Sequence, residues 1–245
     1  MAESARRTRV RALWGASRTP GSSRITATDR YGFLLCLLLV TFVFMASATT
    51  GPAARVTTVF LQGLTLLAAV SAAGARRRLV RMVLAFAVLA FVAALVSVFI
   101  NTNHTGDGVF FGLNALLVGA APIVIVRSIW RRGVVDVQTV LAAICIYVLI
   151  GMLAAFAYGA ISDLSSTAFF AQQKTASTAD YLYFSFVTLT TVGYGDLTAA
   201  KNLGRAFSAL EAVVGQLYLV TVVSVIVGRL SRGRRDAAPD PAADS

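Results

Sequence analysis

One histidine, two cysteines and few charges are all that 245 residues offer, and each scarcity closes off a class of function. With His104 alone there is no cluster of metal-ligand residues, and neither a nucleophile–base pair nor a phosphate-binding glycine loop is present. Enzyme chemistry and a bound cofactor are therefore not expected. Cys36 and Cys145 each lie inside an apolar run, where a thiol acts as a small apolar side chain, and two such residues make no disulfide framework. Charged residues are 13% of the chain and hydrophobic residues 57%, with a mean hydropathy of +0.75. Soluble domains carry about 25% charged residues, so this composition belongs to a membrane protein. The net charge of +11 could suggest nucleic acid, but the basic residues stand between apolar runs without interleaved aromatics, and nucleic acid is excluded as a partner.

What is present is a series of apolar runs, at 31–48, about 53–75, 79–100, 108–130, 134–160 and 205–230. Each reaches or approaches the roughly 20 residues that cross the bilayer core as a helix. Ala46-Ser47-Ala48 resembles a leader-peptide cleavage site, but the basic stretch before the first run is too long for a leader, so the run is kept as a span. An all-α membrane protein of six transmembrane helices is expected. All but four of the 22 basic residues fall on one side if both termini are cytoplasmic; the exceptions are Arg55, Lys174, Lys201 and Arg205. This is the bias of the positive-inside rule. The predicted organisation is a basic cytoplasmic tail over 1–30, a four-helix unit over 31–130, a pore domain over 134–230 and a disordered cytoplasmic tail over 231–245. Arginines beside Leu13 and Trp14 suit contact with anionic membrane lipids.

Between the fifth and sixth runs, all on the outer side, the spacing predicts a polar turret over 161–179 and then an apolar segment over 180–189. That segment is too short to span, but it suits a re-entrant helix, with N-cap chemistry in Asp180 and in Ser177 and Thr178 just before it. Its C-terminal dipole end would point inward and favour a cation. Directly after it comes Thr190-Thr191-Val192-Gly193-Tyr194-Gly195-Asp196. Glycine takes φ > 0 without steric cost, and alternating such residues with ordinary ones turns successive carbonyls to one side. A column of oxygens on one axis replaces the water shell of a dehydrated cation.

This segment resembles the selectivity filter of tetrameric potassium channels, and the whole chain is similar to a bacterial six-helix member with a single pore loop. The resemblance implies a homotetramer, since each chain brings one filter strand. It implies K⁺ sites at Thr191, Val192, Gly193 and Tyr194, with Gly195 completing the filter and Thr191 contributing its hydroxyl. Thr190, Asp196, Tyr183 and Phe184 would support the strand, with Tyr183 or Tyr194 donating a tethering hydrogen bond. Val187 stands where some members carry a glutamate behind the filter, so one partner for Asp196 is missing.

In the sixth run Glu211, an acid within an apolar helix, is a filter-support candidate. Gly215 is either a hinge or a close-packing residue. Steps of four from it reach Leu219, Val223 and Val227, the candidates for a hydrophobic gate. Residues 108–126 carry no Arg or Lys, so the four-helix unit resembles a voltage sensor without its charges. The expected function is a potassium-selective channel conducting passively without strong voltage gating. The alternatives are a weakly selective cation channel and a non-conducting modulatory subunit. Asn103-His104-Thr105 is formally a glycosylation sequon and a pH-sensing candidate, both read as incidental.

Overall fold

The computed structural model of the protein describes residues 27–47, 51–75, 77–100, 105–132, 137–165 and 168–236. Most of the basic tail, the Asn103-His104 pair and residues 237–245 lie outside them. Among the described residues seven helices follow one another: α1 Ala27–Ser47, α2 Pro52–Ala72, α3 Arg77–Ile100, α4 Thr105–Arg132, α5 Val137–Leu164, α6 Thr178–Leu189 and α7 Asn202–Asp236. Six are long and apolar enough to cross a membrane; α6, with 12 residues, is not. The protein is an all-helical, multi-pass membrane protein. α7 extends to Asp236, into the stretch from 231 that was expected to be disordered.

Local chemistry sets the helix ends. Pro52 opens α2 directly after Gly51, at the position where its missing N–H costs nothing. At the other end Gly74 takes φ 63, while its N–H and that of Ala75 donate to the carbonyls of Ser71 and Val70. These bonds satisfy the last carbonyls of α2 in a Schellman-type stop.

The core is built around α5. Both α4 and α1 lie along it, and α1 also reaches α6. Gly159 of α5 lets Phe111 of α4 approach so closely that a Cβ would overlap the ring. Phe111 also packs edge-on against Tyr181 of α6. From α1, Phe42 meets Phe186 of α6 at 4.8 Å, edge to face. Polar bonds tie the N-terminal helices together: Thr41 and Thr65 link α1 to α2, Tyr31 of α1 donates to Ser128 of α4, and Ser128 donates to the carbonyl of Ala73. α7 is the least covered helix, with 11% of its membrane window buried within the chain against 50% for α5. Thus α1 and α4 cover α5, α2 and α3 pack outside them, and α7 is left on the open side.

Candidate ion-conduction site

α6 begins with a reciprocal cap. Ser177 takes extended backbone and accepts from the Asp180 N–H, while the Asp180 carboxylate accepts from the Ser177 N–H at 2.7 Å and from its hydroxyl at 2.8 Å. Of the residues with capping chemistry, Ser177 is the N-cap and Asp180 sits three residues inside it. Two orphan donors are satisfied at once, which is why the helix starts where it does. The stretch before it is not simply a polar turret. Phe169 and Phe170 are buried among Tyr158, Tyr181 and Phe184. Ala171 and Ala200 donate backbone bonds to Thr198 and Phe169, and Gln172 pairs twice with Thr198. The entrance and exit of the loop are tied together on one side.

The loop itself turns sharply at the end of α6. Thr190 donates its hydroxyl to the Phe186 carbonyl, and the Val187 carbonyl accepts from both Val192 and Gly193 N–H groups. Thr191, Gly193 and Gly195 take φ of 58, 56 and 80. Among the described residues Thr191 is the sole non-glycine with positive φ. Every second residue is thus left-handed. Val192 and Tyr194 line one groove with Tyr183 and Phe42, while Gly193 and Gly195 line another with Phe184, Thr188 and Arg205. Tyr194 stacks parallel to Tyr183 at 6.5 Å, and the Tyr183 hydroxyl donates to Asp196 at 2.8 Å. That bond raises the Tyr183 phenol above the usual tyrosine range, chiefly through the hydrogen bond to the carboxylate. With Val187 in the position behind the loop, the Tyr183 hydroxyl is the protein partner that Asp196 has here.

The ion-channel family model matches residues 146–232, which contain α6, the loop and most of α7. Over this stretch, little more than a third of the chain, the protein is similar to ion channels. A curated relative, the inward rectifier potassium channel Kirbac3.1 of Paramagnetospirillum magnetotacticum, is 33% identical over 87 residues. That stretch is 36% of this chain and spans 28% of the relative's length.

Glu211 of α7 joins three helices. It accepts from the Tyr158 hydroxyl of α5 and lies 2.5 Å from the Ser185 hydroxyl of α6, which in turn is 2.7 Å from the Gly151 carbonyl. Glu211 is 7% exposed and Ser185 fully buried. Below this, Tyr147 donates to the Leu189 carbonyl at the end of α6 and stacks on Tyr218, which donates to the Ala143 carbonyl. Gly215 faces the same carbonyl: a Cβ there would lie 2.7 Å from the Leu189 oxygen. α7 runs through Gly215 without interruption, so the geometry found is that of close packing. Leu219, Val223 and Val227 are 39%, 56% and 55% exposed.

Two groups escaped the sequence reading. Phe169 and Phe170 were hidden by the Ser/Thr-rich composition around them. Gln216, next to Gly215, donates its amide to the Thr191 hydroxyl at 3.1 Å. A polar residue following a glycine in an apolar helix was the available signal.

Proposed function

We propose that the protein is a potassium-selective channel in which four copies surround one pore and K⁺ passes along Thr191–Gly195. The observation that carries this reading is the alternation of left-handed φ at Thr191, Gly193 and Gly195, directly after a short capped helix. Such a backbone can present successive carbonyls to one axis, and a ring of them replaces the hydration shell of K⁺. Thr191, Val192, Gly193 and Tyr194 would supply the ion sites. Tyr183, Asp196, Phe184 and Thr190 would hold the strand. One chain brings one such strand, which is the argument for a tetramer.

The open side of α7 supports the same assembly. Phe207, Leu210, Leu217 and Val220 are exposed while Gly204, Glu211 and Gly215 form the covered strip. A helix apolar on all sides is surrounded by protein or lipid, and neighbouring copies around the pore would cover it. Both termini are assigned to the cytoplasm from the distribution of arginines. Potassium flux into liposomes containing the purified protein tests conduction, and cross-linking tests the assembly. Flux of K⁺ with products up to tetramers is expected. Absence of flux would leave the non-conducting subunit, and products ending at dimers would refute the tetramer.

A further inference from the structure

Thr191 combines a β-branched side chain with φ 58, a conformation such a residue keeps only where its surroundings hold it. Two bonds do so. Its N–H donates to the Thr188 carbonyl at 2.9 Å, and its hydroxyl accepts the amide N–H of Gln216 at 3.1 Å. The second bond depends on the helix packing beside it. With no side chain at Gly215, α7 comes up against the Leu189 carbonyl, and the next residue can then reach the loop. Tyr147 donates to that same carbonyl from α5, so the junction is fixed from two helices.

A hydroxyl has one proton to donate and two acceptor sites. Gln216 occupies one acceptor site of Thr191, leaving the other lone pair free. We propose that Gln216 is a positioning residue that holds Thr191 in its left-handed conformation and aims the free lone pair at the permeant cation, so that it sets selectivity at the inner entrance. This rests on Thr191–Gly195 being the ion path. In a four-copy ring it would place four glutamine amides immediately below the four threonine hydroxyls.

The test uses the full-length channel in planar bilayers, with the K⁺/Na⁺ permeability ratio and block by internal Ba²⁺, a divalent ion close to K⁺ in size. Gln216→Met keeps the length of the side chain and loses its donor; Gln216→Ala loses both. Each should weaken Ba²⁺ block about tenfold, equivalent to about 1.4 kcal/mol, and lower the K⁺/Na⁺ ratio. In a Thr191→Ala background the same changes at 216 should have no further effect, because the acceptor is gone. Wild-type block and selectivity in Gln216→Met would overturn the proposal, as would equal effects in both backgrounds. Loss of assembly in both variants would overturn it too, since the residue would then act on the tetramer and not on Thr191. An unselective wild-type channel is a different failure: it would refute the ion path itself.

Discussion

Asp196 closes the loop through one hydrogen bond, and the donor is a phenol. Because the carboxylate raises the Tyr183 phenol, the bond's contribution is complete below the ordinary tyrosine value of about 10 and is lost as pH rises through the raised value. Conduction should therefore be flat from neutral pH to about pH 9 and fall only in stronger base. Tyr183→Phe should be impaired already at neutral pH, with the alkaline fall in current removed; an unchanged pH profile in single-channel recordings would count against the bond. Glu211 makes a second residue-scale prediction. Ser185 has one proton to share between the Gly151 carbonyl and Glu211, so a neutral donor at position 211 fits the site. Glu211→Gln should be tolerated, since its amide can donate to Ser185 and accept from Tyr158. Glu211→Ala leaves both hydroxyls without that partner and should cost about 1–3 kcal/mol, read as a lower thermal midpoint of the detergent-solubilised protein. Equal losses in both variants would contradict this account.

At the scale of elements, the junction of α6 with α7 decides the geometry of the loop. Gly215→Ala puts a methyl group against the Leu189 carbonyl and should destabilise by about 1–3 kcal/mol, the usual cost of overpacking. Gly32→Ala, where nothing lies within 4 Å, should change stability by less than about 0.5 kcal/mol. If Gly215 were instead a hinge, the alanine would alter opening and leave the melting midpoint unchanged. Further down α7, Val223→Ser or Val227→Ser should raise open probability if Leu219, Val223 and Val227 close the pore by excluding water. Silence of both, with gating altered by changes in the loop, would put the gate at Thr191–Gly195. The helices themselves were legible because long apolar runs and arginine placement depend on the bilayer alone. Which residue caps α6 was not legible, because Ser177, Thr178 and Asp180 all have capping chemistry. Left-handed Thr191 and its Gln216 partner were not legible, since they depend on how closely α7 approaches α6, and no periodicity in sequence encodes that distance.

For the whole molecule, α1 and α4 pack on α5, while α2 and α3 pack on the other N-terminal helices. Steep voltage sensors move three to four charges per subunit, each worth about 2.3 kcal/mol per 100 mV. α4 has no Arg or Lys before Arg127, near its end. A conductance–voltage relation worth less than about one charge per subunit is expected, and a steeper one, with internal block excluded, would contradict it. Phe42 of α1 packs on Phe186 of α6. The most direct measurement of the central claim is the reversal potential of the purified protein in a planar bilayer, with K⁺ on one side and Na⁺ on the other. A pathway through Thr191–Gly195 predicts a reversal potential displaced far toward the K⁺ equilibrium value; one near zero would contradict it.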